Sequence, residues 1–484
     1  MRPQVSQKIA VSVVFVAVMF MSIMDVTIVN VALPTIGRDF HVGPTEVDAV
    51  SISFLVSLAV FIPASGWLGD RFGGKPVLLT AIVVFTVASA LCGLAQSLGE
   101  LVAFRVLQGV GGGMLAPVGM AMLFRTFPPA ERIRASAVLT VPTTFAPALG
   151  PVLGGLLVDK LSWRWVFFVN LPIGAAALVF GFLFLEHRVE AMPGRFDLPG
   201  FVLSGLGFGS VMYGISEAPA QGWTAVAPLT TMAVGVALLV AMVFVELRTP
   251  QPMIALRLLG NRLFRSANGV MVLGSMAFLG ALYVVSLYYQ DGRGLTPLQS
   301  GLSTFPEAIG VMLGAQLATR VLYPRLGPRR HVAIGLLGVA VAIGLLAVLD
   351  RGSSLWWARG LMFVIGFCMA QVFVPTQAAA FATIDPADTG RASTMFNALR
   401  QLGGALGVAV LTTAIVLSGH SAGAAGPAGS LTPYRVAFLV AAGLALLGAV
   451  VALSVRDADA ANTMPSRRAR NAEAQRQPSL AAVD

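Results

Sequence analysis

The sequence predicts an all-α polytopic membrane protein from its composition, its hydropathy and its repeated apolar stretches. Of its 484 residues, 56% are hydrophobic and 11% are charged, whereas soluble domains average about 25% charged residues. Mean hydropathy is +0.82. The apolar stretches are each long enough to cross a hydrocarbon layer of about 30 Å at about 1.5 Å per residue. The fourteen stretches cover residues 9–34, 46–68, 77–97, 100–124, 135–158, 165–185, 198–217, 225–247, 264–288, 298–320, 331–349, 355–381, 391–418 and 434–455.

The positive charge is distributed as in a multi-pass membrane protein. If both termini are cytoplasmic, 23 of the 32 Lys and Arg residues fall in cytoplasmic tails and loops and seven fall in the opposite loops. Cytoplasmic loops of membrane proteins carry such an excess. The net charge of +10 is therefore mostly a topology signal, and we expect no nucleic acid partner.

Two short patterns repeat at one offset and predict two homologous halves. Gly66–Lys75 aligns with Arg320–Arg329 at an offset of 254 residues, and the same offset places Arg105 on Arg359. Twelve helices then belong to the halves, and two lie between them. We expect an N-terminal six-helix bundle at 1–185, a linker with two extra transmembrane helices at 186–262, a C-terminal six-helix bundle at 263–455 and a disordered cytoplasmic tail at 456–484.

An acid and a base lie inside predicted membrane helices. Asp25 interrupts the first helix within MDVTIVNVALP, and Arg105 begins RVLQGVGGG in the fourth. Counted along the helices, they lie about 13 and 7 Å below the same surface, so they can meet directly or through water if the helices are neighbours. Ionisable residues inside a membrane are functional candidates by default. A structural ion pair, or an Arg105 that reaches out to the surface, is the alternative.

Two glycine-containing motifs are candidates for conformational change. The sequence GWLGDRFGGK predicts a tight turn between helices 2 and 3, in which the Asp can face a helix N-terminus or an Arg and form a latch. A solvated loop is the alternative. Two glycines one turn apart in helix 5 permit close helix approach, which generic packing also explains. The conformational motif residues are Gly66, Asp70, Arg71, Gly73, Lys75, Gly150, Pro151, Gly154 and Gly155.

The second half adds candidates for substrate binding. Glu307, about 13 Å deep in helix 10, is either a second binder of cations or protons or a buried structural acid. Asn397, Arg400 and Gln401 share one face of helix 13 and predict a polar cavity patch or hydrogen bonds between helices. Weaker candidates for adaptable apolar contacts, also explained by packing, are Met24, Tyr288 and Tyr289.

These motifs together resemble those of the major facilitator superfamily. The Gly66–Lys75 loop, the Arg105–Gly113 helix and the Gly150–Gly155 segment are similar to three of its signature motifs. The last of them resembles the antiporter motif of drug:proton exporters. MDVTIVNVALP and the segment Trp163–Gly174 resemble the fourteen-helix drug:proton antiporter branch. Pro324 is a departure, because the family carries an Asp there, so we expect the second-half latch to be weaker.

The resemblance spans about residues 10–455 and implies the major facilitator fold, with two six-helix bundles around a central cavity that work by alternating access. It implies that Asp25 binds both proton and substrate, with Arg105 beside it. The implied function is a proton-coupled antiporter that exports lipophilic, often cationic, drugs or antiseptics across a bacterial inner membrane. Its energy source is the proton gradient, and no cofactor is expected.

Other functions stay open on the sequence. The chain could transport one specific metabolite or, less favoured, be a non-transport membrane subunit or an enzyme. We see no nucleophile motif, metal-ligand cluster or phosphate loop of the type G-x-x-x-x-G-K-[ST], so we expect neither an enzyme nor an ATP-driven pump. Expected partners are small-molecule drugs, protons and membrane lipid. We expect a monomer, with a periplasmic adaptor and an outer-membrane channel as further partners in a Gram-negative host.

Overall fold

The structure, a computed structural model, describes residues 6–187, 196–222, 225–249, 252, 254–418 and 431–464. In these ranges, twelve helical runs are long and apolar enough to cross a membrane. One of them, Gln299–Leu346, has 48 residues and breaks at Gly327, where φ is 70°. Counting it as two helices and adding the 29-residue helix Arg132–Lys160 accounts for the fourteen predicted spans. The predicted all-α polytopic fold is confirmed.

The membrane helices are α1 (Gln7–Phe40), α2 (Ala49–Phe72), α3 (Gly74–Leu94), α4 (Leu98–Thr126), α5 (Arg132–Lys160), α6 (Asn170–Phe184, after the short turn Trp165–Phe168), α7 (Leu198–Gln221), α8 (Val226–Glu246), α9 (Arg262–Leu287), α10 (Pro297–Thr304 and Pro306–Leu317), α11 (Tyr323–Leu346), α12 (Leu355–Ala380), α13 (Thr389–Leu417) and α14 (Thr432–Ala452).

Helix α1 is longer than its apolar stretch, which ends at residue 34. Pro34 lies inside the helix, and the helix continues to Phe40. It ends at His41, whose left-handed backbone (φ 56°) directs its N–H back to the carbonyls of Gly37 and Arg38. At about 1.5 Å per residue, its 34 residues are about 51 Å long, more than the hydrocarbon layer needs. The hydropathy pattern therefore predicted the apolar part of the helix up to residue 34 and missed its continuation to Phe40.

The helices pack as two groups. Within α1–α6, α4 lies against α2 and α3, and α1 lies against α5. Within α9–α14, α9 packs on α13, α10 on α12, and α11 on both α12 and α14. The two extra helices α7 and α8 pack on each other, and α7 also contacts α2 and α13. The domain boundaries themselves stay a prediction.

The two groups meet tightly at the face where α1 begins, which we call the N-terminal face. The rings of Phe124 in α4 and Phe381 after α12 stack with centroids 4.3 Å apart and planes 10° apart. Arg132 at the start of α5 donates a hydrogen bond to the carbonyl of Phe381. Ser393 in α13 donates to the carbonyl of Pro117 at 2.7 Å. These contacts close the N-terminal face.

The tail differs from its prediction. We expected disorder from residue 456 onward, but residues 456–464 dock on the N-terminal face. Ala460 and Thr463 are buried, and the Thr463 hydroxyl lies 2.5 Å from the hydroxyl of Tyr323. Small side chains and one polar contact are enough to hold this segment, because the helix bundle provides the surface on which it packs. The composition of the tail does not reveal that surface. Residues 465–484 of the predicted tail lie outside the described residues.

Candidate functional site

Asp25 and Arg105 form a buried ion pair. The guanidinium Nη1 of Arg105 lies 2.5 Å from Oδ2 of Asp25. Asp25 is 0% exposed and Arg105 is 1% exposed. Helices α1 and α4 are neighbours, which was the condition that the sequence set for this contact. The contact is direct.

Besides Asp25, the Arg105 guanidinium also contacts residues of α2 and α4. Its Nε donates to the carbonyl of Val50 at 3.0 Å, and its Nη1 donates to Oε1 of Gln108 at 2.8 Å. The guanidinium carbon lies 4.2 Å from the ring centroid of Phe54, a cation–π distance. Because these bonds leave from two edges of a planar fork, they place the guanidinium in one orientation. The arginine is therefore anchored on α2 and α4, and Asp25 approaches it from α1.

Two further donors reach the carboxylate. The amide of Gln108 donates to Oδ1 of Asp25 at 2.9 Å, and the amide of Asn170 at the start of α6 does the same at 2.9 Å. Asn170 also donates to the hydroxyl of Ser89 in α3 at 3.0 Å. Sequence reasoning missed both amides as site residues. Gln108 was detectable because it follows Arg105 by three residues and shares its helix face, but Asn170 lies 145 residues from Asp25.

This set, the Asp25 cluster, consists of Asp25, Arg105, Gln108, Asn170 and Ser89. Both oxygens of the Asp25 carboxylate accept hydrogen bonds, which satisfies a buried charge that would otherwise be costly. The cluster therefore joins α1 to α4 and α6 through the carboxylate of Asp25.

The glycine motif of α5 lies beside this cluster. A Cβ atom added at Gly150 would come 2.0 Å from Oγ1 of Thr27, and one at Gly154 would come 3.0 Å from Ile28. These positions therefore let α5 approach α1 within a turn of Asp25, as the one-turn spacing of the glycines indicated. Gly155 faces open space, and the side chain of Pro151 lies outside the described residues.

Asp70 lies at the N-terminal face between the two halves. Its Oδ1 accepts a hydrogen bond from Arg125 at the end of α4 at 2.6 Å. The same carboxylate lies against Gly390, where an added Cβ atom would be 2.6 Å from Oδ1. Gly390 belongs to the first turn of α13, and the positive end of a helix dipole favours a carboxylate there. Gly66 permits the approach, because a Cβ atom on it would meet Thr394 at 2.6 Å.

The remaining loop residues have separate surroundings. Gly73 has φ 88°, a backbone conformation that glycine adopts readily. Lys75 donates to the carbonyls of Phe182 and Leu185 at 2.8 and 2.6 Å, so it caps the end of α6. Arg71 is exposed. The structure thus provides the contacts that a latch needs at Asp70, while the latch role itself stays a prediction.

The second acid, Glu307, has different surroundings from those of Asp25. It is buried at the start of the second segment of α10. Its backbone packs on α12 so closely that a Cβ atom on Gly366 would lie 2.1 Å from the Glu307 carbonyl. Within the described ranges, no side chain or backbone group donates a hydrogen bond to its carboxylate. It belongs to the second half and does not join the Asp25 cluster.

The polar residues of α13 point to different neighbours. Asn397 donates to the sulfur of Met120 in α4 at 3.1 Å and to the carbonyl of Ser393 at 2.9 Å. Gln401 lines a small cavity between α2, α7 and α13, and Arg400 is half-buried. The structure shows no single polar patch made by these three in this state. Their role in substrate binding stays a prediction.

The weaker apolar candidates are all buried. Met24 lies in the interior next to Asp25. Tyr288 and Tyr289 lie in a π-helical turn that ends α9, with ring centroids 5.6 Å apart. Tyr288 packs on Tyr434 of α14. These two rings belong to the second half, apart from the Asp25 cluster, and in this state packing is their visible role.

Known proteins resemble this chain along most of its length. A model of the Major Facilitator Superfamily matches residues 15–408. The multidrug resistance protein B homolog of Mycobacterium tuberculosis is 34% identical over 382 residues, which cover 78% of this chain and 71% of that protein. The tetracenomycin C resistance and export protein of Streptomyces glaucescens is 32% identical over 381 residues, with coverage of 78% and 71%.

Solved structures show the same fold. The crystal structure of the human organic anion transporter MFSD10 (TETRAN) superposes with a TM-score of 0.67 at 19% identity, covering 93% of this chain and all of that one. The proton:xylose symporter XylE gives a TM-score of 0.62 at 14% identity, with coverage of 92% and 95%. By sequence motifs, family match and fold, the chain is a multi-pass membrane transporter that belongs to the Major Facilitator Superfamily, and it is similar to the drug-efflux branch.

Proposed function

We propose that the chain is a proton-coupled antiporter that exports lipophilic, often cationic, drugs or antiseptics by alternating access. The observation that carries the proposal is the Asp25–Arg105 pair, a fully buried carboxylate and guanidinium in the membrane. Intramembrane ionisable residues are costly and typically mark ion or substrate pathways. The names of the relatives, one a multidrug resistance protein homolog and one an export protein, support the substrate class.

The geometry suggests how proton and drug exchange. In this state the carboxyl group of Asp25 accepts three hydrogen bonds. When α1 moves away from α4, Arg105 stays with Val50 and Gln108, and the freed carboxylate takes up either a proton or a cationic drug. The proton and the drug compete for the carboxyl group of Asp25. The site therefore crosses the membrane in one direction with the drug bound and returns with the proton bound, which is antiport. The membrane potential adds about 2.3 kcal/mol per charge per 100 mV.

The closed N-terminal face supports one orientation of the cycle. We infer that this face is cytoplasmic, because the loops on it carry most of the Lys and Arg residues. The protein would then lie in a bacterial inner membrane with both termini in the cytoplasm, and the present state would be closed to the cytoplasm. Asp70 would act as the latch, since its contact with Gly390 must separate when this face opens. We keep the monomer as the working unit, with adaptor and outer-membrane channel as partners in a Gram-negative host.

Glu307 is the second acid in the proposal. The Glu307 carboxyl group is buried and receives no hydrogen bond from a described residue, which disfavours its charged form. We therefore infer that Glu307 carries a proton in this state. It would release that proton when a cation or water reaches it. Asn397, Arg400, Gln401, Met24, Tyr288 and Tyr289 complete the proposed substrate-binding set.

Everted membrane vesicles test the role of Asp25. In vesicles acidified by respiration, a transported drug should release protons from the wild type, and Asp25→Asn should abolish this release at equal membrane abundance. The matched control is Asp48→Asn, the same change at an exposed residue between α1 and α2, which should retain exchange. Undiminished drug–proton exchange by Asp25→Asn would discard the proposed coupling.

A panel of substrates separates this function from transport of one metabolite. Efflux-deficient cells that express the protein should gain resistance to several unrelated lipophilic cations, and Asp25→Asn cells should gain none. Resistance to none of them, with accumulation of one polar metabolite changed instead, would favour the single-substrate transporter.

A further inference from the structure

A groove lies between the two halves, with α5 on one side and α10 on the other. It has a volume of 370 Å³. Its walls come from both halves, which makes it part of the seam that alternating access must rearrange. The side chains on which the argument depends are Arg134, Val138 and Phe145 of α5 and Met312, Gln316 and Arg320 at α10 and the turn that follows it.

The groove is basic at the membrane surface and apolar in its depth. Arg134 is the third residue of α5, and Arg320 lies in the π-helical turn Ala318–Leu322 that ends α10, so both are at the N-terminal face. Phe145 is eleven residues farther along α5, about 16 Å deeper, and Met312 is eight residues back along α10, about 12 Å deeper. This gradient matches a headgroup region above a hydrocarbon layer.

The groove has a buried floor and an exposed edge. Its floor residues Val311 and Ala315 are buried in a cluster with Ile133 and with Ala370 of α12. Its edge is open, because Met312 is 41% exposed and both arginines are exposed. Since α5 and α10 are membrane helices, we infer that the medium outside this edge is the bilayer.

The two arginines form no ion pair within the described ranges. Other arginines at this face do have acidic partners, as Arg125 has Asp70 and Arg257 has Asp388. Among the residues that the structure describes, the lining of the groove includes no acid. The groove therefore attracts an anion and repels the lipophilic cations that we propose for Asp25. Its apolar depth favours an anion that carries a hydrocarbon chain.

We propose that this groove binds an anionic phospholipid, with the headgroup phosphate between Arg134 and Arg320 and an acyl chain along Val138, Phe145 and Met312. Basic pockets between membrane helices at this level recognise such headgroups, and guanidinium groups bind phosphate through paired hydrogen bonds. Because the two arginines belong to different halves, one phosphate bound to both links the halves at the N-terminal face and favours the closed state.

Native mass spectrometry of the purified full-length protein tests the proposal. Protein exchanged into equal amounts of phosphatidylglycerol and phosphatidylcholine should retain phosphatidylglycerol selectively. The double variant Arg134→Gln/Arg320→Gln should lower this selectivity at least about tenfold, because it removes both guanidinium groups that are proposed to bind the phosphate. The control Arg262→Gln/Arg265→Gln removes the same charge from exposed residues of α9 at the same face and should leave the selectivity unchanged.

A variant that fills the groove separates a bound lipid from simple surface attraction. Met312→Trp retains both arginines and occupies the apolar depth, so it should also lower retention of phosphatidylglycerol. Inorganic phosphate at millimolar concentration should not displace the lipid. Equal selectivity in the groove and control double variants, unchanged retention by Met312→Trp, or displacement by inorganic phosphate would each overturn the proposal. None of these readouts depends on drug transport.

Discussion

The loops Gly66–Lys75 and Arg320–Arg329, which the sequence aligns at one offset, have the same backbone turn and different sources of acid. Gly73 has φ 88° and the aligned Gly327 has φ 70°. In the first loop the acid is Asp70, within the loop itself. In the second loop Pro324 replaces it, and the carboxylate of Asp457, which follows α14, accepts a hydrogen bond from the backbone N–H of Arg329 at 2.8 Å.

The two acids reach different partners. Asp70 reaches from the first half to the start of α13 in the second half, which is the contact that the proposed latch would have to break. Asp457 binds a loop of its own half, and its carboxylate lies beside Gly327, where an added Cβ atom would be 2.7 Å away. Related loops can therefore keep their shape while one acts between halves and the other fastens the tail. Although position 324 carries no Asp, Asp457 supplies a carboxylate to this loop.

The largest expected effect concerns the intramembrane arginines, which also differ between the halves. Arg105→Lys should reduce drug–proton exchange about 10- to 100-fold, because a lysine retains the charge and loses hydrogen bonds worth about 1.5–3 kcal/mol. Arg359→Lys is the matched control, because Arg359 is the residue of the second half that aligns with Arg105, contacts the ring of Trp356 and belongs to no proposed binding set, so this variant should retain more exchange. The measurement is proton release in everted vesicles at equal protein abundance. Full exchange by Arg105→Lys would show that charge alone suffices.

The next effect concerns the acid between the halves. Asp70→Asn weakens the ion pair with Arg125 and the attraction to α13, so the N-terminal face should open more often. In a variant without Cys92 and Cys368, a cysteine placed at Thr394 should react with a maleimide about ten times faster after Asp70→Asn, equivalent to about 1.4 kcal/mol.

Asp388→Asn provides the control for this labelling experiment. Asp388 is also at the start of α13, but its partners are Arg257 in the segment before α9 and Arg391 in α13, and neither belongs to the first half. Labelling should change much less than with Asp70→Asn. Equal rates in the two variants would contradict a latch between the halves.

A smaller effect is expected for the acid that fastens the tail. Asp457→Asn should weaken the capping of α11 by about 0.5–1 kcal/mol and increase tryptic cleavage after Arg456 about threefold. Labelling at position 394 should rise less than with Asp70→Asn. Cleavage at the wild-type rate would indicate that other contacts, such as the Thr463–Tyr323 bond, fasten this segment alone.

The smallest effect is expected for restoring the acid to the second loop. Pro324→Asp alone should change stability by no more than about 0.5 kcal/mol, because Asp457 already supplies a carboxylate there. Combined with Asp457→Asn, it should partly restore protection of Arg456 from trypsin. Thermal unfolding and proteolysis of the four combinations form a double-mutant cycle, and additive effects would mean that the two positions do not substitute for one another.

Several site contacts could be predicted from the sequence, and others could not. The depths of Asp25 and Arg105 follow from counting residues along two helices, so their contact needed only neighbouring helices. Gln108 follows from helical spacing. Asn170 and Asp457 could not be placed, because each contacts a residue far away along the chain. Asn170 lies in the segment Trp163–Gly174, but a local pattern does not show which distant side chain its amide reaches. The tail was misjudged from residue 456 because its composition does not show the surface on which it docks.

By itself, the sequence determined the spans, the topology signal, the family motifs and the presence of ionisable residues inside the membrane. These features depend on hydropathy, charge and spacing, which are local properties of a chain. Only the tertiary structure decided which donors surround Asp25, that Glu307 has none in the described ranges, and that Arg134 and Arg320 line one groove. Those facts depend on how helices pack, and packing brings together side chains that are far apart along the chain.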